Sequence, residues 1–482
     1  MISRWWATAF AAIPLTAAVL VLQSCGGEGG PTSGGGGGVS PSAAFLALLP
    51  AGQSGAGYVG PETCAAAACH GGRGDDDPIY THWLETEHAT KNVGCESCHG
   101  PGSAHAANPS TDNILTFPKL ADTVVCAQCH GPLHEQYLVS KHRQLVSSPV
   151  QGTVTNPANY GRNSRCIACH GGLFRVKTYE KGLDPLDMTD EEIRQIAEDV
   201  ITYVPQTALC VTCHNPHAIT GNLTAAGKEV QLRHKTFNVD STDVGPSTTA
   251  AVFTKFDHIC AQCHNGRGAD GADAKLTSGT SRPNMHDSNQ FNMLLGFGGV
   301  EGSGPVNRDT AHANVPGQCS KCHMPSSRHS FTVSYDACVP CHTINDAAAR
   351  VTSIKDEILG SLYSLRVRMS DWALATFGNE LYWEYTSTIT GEGGVPPSQS
   401  LVPIEIKRAR HNYYFVLRSG DYGVHNSAYA KHLIRIANDN IDLITGLGPI
   451  RLPREVTREQ MLAVLETDRA RARRADMREV LE

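Results

Sequence analysis

Hydrophobic patterning is strong at the two ends of the chain and weak between them. Residues 1–25, MISRWWATAFAAIPLTAAVLVLQSC, form a continuous apolar run behind a single cation, Arg4. That arrangement predicts a secretory signal peptide, and the run is marginal in length for a membrane span. MTDEEIRQIAEDVITY, 188–203, predicts a short helix, with Thr189 and Glu192 as a capping box. We expect it to act as a local spacer. Helical patterns then dominate beyond residue 345. Apolar positions recur every three to four residues over 346–378. Residues 404–445 predict two more helices joined at SGDYG, and TREQMLAVLETDRARARRADMREVLE predicts a charged amphipathic helix capped at Thr457.

The middle of the chain, 58–345, lacks long periodic segments. Aromatic residues make up only 6% of 482 residues, and there are 47 glycines. Side chains alone fill such an interior poorly. The formal net charge of -7 gives no basic excess and so excludes a nucleic-acid partner. Residues 26–57 are Gly-rich and read as a flexible tether, although they contain an apolar patch, AAFLALLP, that a tether does not need.

The cysteines change this picture. There are 17, and seven pairs have the form C-x-x-C-H: CESCH, CAQCH, CIACH, CVTCH, CAQCH, CSKCH and CVPCH, beginning at Cys95, Cys126, Cys166, Cys210, Cys260, Cys319 and Cys338. Disulfides do not require a histidine after each second cysteine, and neither does zinc. Covalent haem does: two thiols add to the vinyl groups and the adjacent imidazole reaches the iron. An eighth site, CAAAACH from Cys64 to His70, has four residues between its thiols. We count it as the first attachment site, because His70 stands where every other proximal ligand stands. The expected attachment residues are therefore Cys64, Cys69, Cys95, Cys98, Cys126, Cys129, Cys166, Cys169, Cys210, Cys213, Cys260, Cys263, Cys319, Cys322, Cys338 and Cys341. The expected proximal ligands are His70, His99, His130, His170, His214, His264, His323 and His342. The motifs span residues 64–342, about 35 residues each, too few to bury each haem in helices of its own. The haems are expected to stack on one another.

An imidazole in the second axial position makes a haem an electron carrier, whereas an open position receives substrate. Of 22 histidines, 14 lie outside the motifs. From their placement we select His88, His105, His142, His217, His286, His312, His329 and His425 as the eight distal ligands.

YVGPETC through VGCESCHGPGSAHAANP, residues 58–109, resembles the start of the cytochrome c554 family, which implies distal roles for His88 and His105. The expanded first site also resembles C-x4-C-H sites of tetrahaem c3-type cytochromes. CSKCHMPSSRHSF, CVPCH and a helical tail with GVHN resemble the pentahaem nitrite reductases and octahaem hydroxylamine oxidoreductases. That resemblance implies that His425 binds an early haem. No C-x-x-C-K motif of the nitrite reductases occurs here. LQSC resembles a bacterial lipobox with Cys25 lipidated, and the leader is similar to those of surface cytochromes of metal-reducing bacteria, some of which polymerise.

These readings predict a mainly α multihaem cytochrome c with extensive loop, stacked haems and a C-terminal helical region. The expected organisation is a signal peptide at 1–24, a lipidated tether at 25–57, an octahaem region at 58–345 and helices at 346–482. The expected function is electron transport through eight haem c groups at the periplasm or outer membrane, in extracellular respiration. Redox cytochromes or extracellular metals would be the partners. The alternatives are an octahaem oxidoreductase acting on hydroxylamine, nitrite or tetrathionate through one open haem, and a subunit of a filament. The basic cluster Arg469–Arg474 reads as a solvated helix face, with haem propionates or an acidic partner as the other options.

Overall fold

The computed structural model describes residues 40–71, 79–144, 167, 169–180, 183, 188–201, 208–218, 230–237, 258–266, 271–277, 286–308, 311–339, 341–384, 399–445 and 456–481. The leader, Cys25, most of the tether and Cys166 lie outside these residues. Among those described, regular structure is helical apart from one bridge between His214 and Leu232. None of these helices is long and apolar enough to cross a membrane.

From residue 40 to His342 the helices are short. The end of the expected tether packs: Ser42 caps Ala43–Leu46, and Phe45 is buried against Leu115 and Val125. The apolar patch thus roofs the second and third motifs. Gln53 Nε2 donates to the carbonyls of His99 and Pro101 at 2.8 and 3.0 Å. Gly100, at φ 76°, admits this approach, since a Cβ there would stand 2.7 Å from Leu49.

Helix α1, Gly172–Glu180, follows the fourth motif, and α2, Asp190–Ile201, packs across it. The capping box forms, with Thr189 N–H donating to Glu192 Oε2 at 2.8 Å and Glu192 N–H donating to Thr189 Oγ1 at 3.3 Å. This helix is more than a spacer. Ile193, Ile196, Ala197 and Val200 share one face and are buried with Ile167, Leu173, Phe174 and Leu209, so they wall the fourth and fifth motifs. Helix α3, Gln290–Leu295, lies in the loop after the sixth motif.

Beyond the last motif, the described residues form four long helices. Thr343 caps α4, Ile344–Phe377, which runs until Gly378 adopts φ 73°. Helices α5, Ile404–Ser419, and α6, Ser427–Thr445, pack on each other and on α4. Helix α7, Arg458–Leu481, closes against α4 and α5. Their core includes Leu362, Leu365, Met369, Trp383, Tyr413, Phe415 and Tyr429. The basic cluster on α7 is only partly solvated, contrary to the sequence expectation. Buried Asp468 accepts from Arg471 at 2.7 Å, Tyr413 Oη at 2.8 Å and Arg366 at 3.3 Å. Arg469 and Arg473 reach Asp287, while Arg474 stays exposed.

These helices hold the loop at 286–302. Asn412 bonds Val300 through both N–H and carbonyl, at 2.7 and 2.8 Å. Gln290 Nε2 donates to the Ser419 carbonyl at 2.8 Å. His411 and His432, unselected as ligands, bond the carbonyls of Gly298 and Glu301 at 2.9 Å each.

Candidate functional site

Among the described residues, five of the ordinary motifs close as a single helical turn. The proximal histidine N–H donates to the carbonyl of the first cysteine at 2.9–3.0 Å in the second, third, fifth, sixth and eighth motifs. This closure sets both thiols and the imidazole on one side of the turn. The expanded first motif preserves it. His70 N–H donates to Cys64 O at 3.1 Å, with the extra residues folded into a turn in which Cys69 N–H meets Ala66 O at 2.8 Å. Gly71 sits so close to Ala65 that a Cβ would lie 1.8 Å from its carbonyl oxygen. No disulfide joins the described motif cysteines.

The histidines pair between separate stretches of the chain. His88 faces His130 with ring centroids 6.3 Å apart, His217 faces His99 at 6.1 Å, and His142 faces His264 at 6.1 Å. His286 faces His170 at 6.5 Å, His329 faces His214 at 6.2 Å, and His425 faces His323 at 6.3 Å. A metal–imidazole bond of about 2 Å, plus about 1.1 Å to the ring centre, puts two axial imidazoles about 6.2 Å apart. The residues therefore fit a hexacoordinate iron at six motifs. At the chain's two remaining motifs, His70 and His105 are both electrostatic neighbours of His99, and His312 is a neighbour of His342. His425 meets the seventh motif, not the early one that the GVHN resemblance implied. The turn between α5 and α6 that carries it packs beside the late motifs.

Most ring nitrogens on the far side from the partner are held. Nδ1 bonds a carbonyl in His99 (Leu115, 2.9 Å), His214 (Val230, 2.8 Å), His323 (Phe331, 3.1 Å), His105 (Ser110, 3.0 Å) and His329 (Ser327, 2.8 Å). His264 uses Gln290 Oε1 at 3.2 Å, His342 uses Asp346 at 3.4 Å and His425 uses Asp421 at 3.1 Å. Such partners select the tautomer that presents Nε2 to a metal. Burial pushes His142 and His214 down to about 4 and lowers His88, His99, His130 and His312, so these rings are neutral near pH 7 with a lone pair to give. At His425 burial is outweighed by the Asp421 carboxylate, which raises it.

The thiols give the spatial order of the motifs. Cys64 meets Cys95, Cys126 meets Cys210, and Cys260 meets Cys319. Cys98 lies near Cys129, Cys213 near Cys260, and Cys322 near Cys338. The path runs first, second, third, fifth, sixth, seventh, eighth. The fourth motif lies to the side of the sixth, where Cys169 Sγ approaches Gln262 O at 3.6 Å and Cys263 Sγ approaches Cys169 O at 4.0 Å. Both ends of the path reach the surface, at His70 and Cys341. His258, Cys260 and Cys319 lie within metal-binding reach of one another, but their thiols come from different motifs, unlike a paired-cysteine zinc site.

Sequence reasoning missed the residues that hold the ligands. Glu96, inside the second motif, is buried and accepts from the amides of Val59, Gly60 and Gly102 at 2.7–3.1 Å, clamping the first motif beside the second. Asp287, next to His286, gathers Arg418 at 2.9 Å, Arg469 at 3.4 Å and Arg473. No local pattern marks either carboxylate. Glu96 was detectable only as an acid inside a haem motif.

No family model matches the chain. Over 261 residues it is 25% identical to the C-type polyheme cytochrome OmcC of Geobacter sulfurreducens, covering 43% of this chain and 32% of that protein. Over 273 residues it is 25% identical to the C-type polyheme cytochrome OmcB of the same organism, covering 47% and 34%. The chain thus spans only 32–34% of the length of these relatives. The undecaheme cytochrome from the S-layer of Carboxydothermus ferrireducens superposes with a TM-score of 0.47 at 19% identity, covering 73% of this chain and 50% of that one. In sequence, the chain is similar to these multihaem c-type cytochromes over just under half of its length.

Proposed function

We propose that this protein is an eight-haem electron carrier in which every iron has two imidazole ligands. The observation that carries the reading is the set of six histidine pairs at 6.1–6.5 Å, each joining a motif histidine to one outside the motifs. Bound haem supplies one-electron chemistry at its iron. The thioether cysteines keep successive attachment sites in contact, and the paired imidazoles leave no coordination position for a substrate. His105 and His312 serve the first and eighth sites. The exposed ends at His70 and Cys341 are where electrons arrive and leave. The apolar leader and the LQSC stretch support an exported protein, anchored through Cys25, that passes electrons to extracellular acceptors. Two propionates per haem add on the order of 16 negative charges to the formal -7. That charge favours cationic partners or metal surfaces.

Two measurements test this. Intact mass should show eight haems, and seven would make CAAAAC a remnant. Electron paramagnetic resonance of the oxidised protein should show only low-spin iron. A high-spin signal equal to one haem would sink the carrier reading in favour of an oxidoreductase with one open site.

A further inference from the structure

Phe331 touches three of the proposed sites at once. Its carbonyl accepts from Nδ1 of His323, the seventh-site ligand, at 3.1 Å. Its ring stands edge-on to His142, the sixth-site ligand, with centroids 4.1 Å apart and planes at 74°. The same ring reaches His329, the fifth-site ligand, at 6.0 Å and 71°. Its backbone sits at φ 57°, which is costly for a bulky side chain and persists only where the surroundings enforce it. Ser326 and Ser327, in the same turn, also have positive φ, at 55° and 60°. The turn is pinned from outside, because His329 N–H donates to Gln136 Oε1 at 2.8 Å.

Rotation of an imidazole about its bond to a metal is soft, so packing decides the plane of the ring. His264 is oriented by Gln290. His142 has the Phe331 ring against it, and the two ligand planes end 88° apart, the steepest angle of the six pairs. The next site along the path, His214 with His329, has planes only 27° apart. The angle between axial imidazole planes sets the splitting of the iron d orbitals. It thereby sets the g anisotropy of low-spin ferric iron, and perpendicular rings give the greater anisotropy.

We propose that Phe331 is a positioning residue that holds the His142 ring perpendicular to His264. It thereby makes the sixth site, where the side branch from the fourth motif joins, electronically distinct from the fifth. This rests on the carrier reading above.

The test is electron paramagnetic resonance of the full-length ferric holoprotein, wild type against Phe331→Leu. In Phe331→Leu the strongly anisotropic low-spin component should lose one haem equivalent, which reappears in the rhombic signal. Attached haem mass and total low-spin intensity should not change. Phe331→Tyr, which keeps the ring, should restore the wild-type spectrum. An unchanged spectrum in Phe331→Leu overturns the proposal. So does loss of attached haem in both Phe331→Leu and Phe331→Gly, the latter of which accepts φ 57° without strain, because a ring that only sets a torsion is dispensable for attachment. Failure of the carrier reading itself looks different: the wild-type peptide holding Cys260 and Cys263 would lack haem mass, or the wild type would show high-spin iron.

Discussion

The C-terminal helices and the motif-bearing region solve the packing problem in opposite ways. Helices α4 to α7 are long, and they share one continuous core that contains Trp383, Tyr413, Tyr414, Phe415 and Tyr429. Among its described residues the motif region has smaller, separate clusters, such as Phe45 with Leu115 and Val125, Phe291 with Leu294 and Leu295, and the wall around α1 and α2. Helices shorter than about 12 residues are marginal without tertiary support, and the motifs that close among the described residues do so in one turn. The difference teaches that one region is held by its own side chains. The other uses its side chains to aim thiols and imidazoles, and relies on what they bind for its interior.

The strongest way to break this comparison is to remove the attached group. In cells unable to attach haem, residues 40–342 should lose amide protection and be cut by protease, while 344–481 stays protected. Equal protection in both regions would refute the contrast. Within the loaded protein, position along the path should matter next. Cys260→Ser with Cys263→Ser removes the site that contacts the fourth, fifth and seventh, and should lose more than one haem by mass. Cys64→Ser with Cys69→Ser, at the end of the path, should lose one. Asp287→Ala leaves Arg418 buried beside two other cations and should cost about 3–5 kcal/mol in chemical denaturation. Burial raises the Asp287 carboxyl, but the arginines outweigh that and hold it below its usual value. Its contribution is therefore complete above about pH 4 and is lost as pH falls through the depressed value. Leu365→Ala, in the helical core, should cost about 2–5 kcal/mol with the haem spectrum unchanged. Glu96→Gln should cost the least, about 1–3 kcal/mol, by weakening three amide bonds, and its effect should appear first as loosening of the first haem.

Features set by neighbours in the chain were legible. The predicted helix at 346–378 is observed as Ile344–Phe377, and the cap at Thr457 forms, with Gln460 N–H donating to Thr457 Oγ1 at 3.2 Å. Helix periodicity and capping act within a few residues, so a linear reading captures them. The reading of Arg469–Arg474 as a solvated face holds for exposed Arg473 and Arg474 but failed at Arg469 and Arg471, for the complementary reason. The carboxylate that Arg469 and Arg473 meet is Asp287, which is remote in sequence and carries no pattern of its own. The spacer reading of 188–203 failed likewise, because Phe174 and Leu209 turn its apolar face into a wall.

The sequence by itself determined where thiols and proximal imidazoles stand, since two cysteines and a histidine on one turn are a local arrangement. It also supplied a sufficient stock of further histidines. Tertiary structure alone decided which histidine faces which. His329 lies six residues beyond His323, yet it faces His214, while His323 faces His425 across the α5–α6 turn. The order of the motifs in space, with the fourth set aside and the third beside the fifth, was decided there too. Pairing across a metal depends on distance through space, and nothing in the spacing along the chain encodes it.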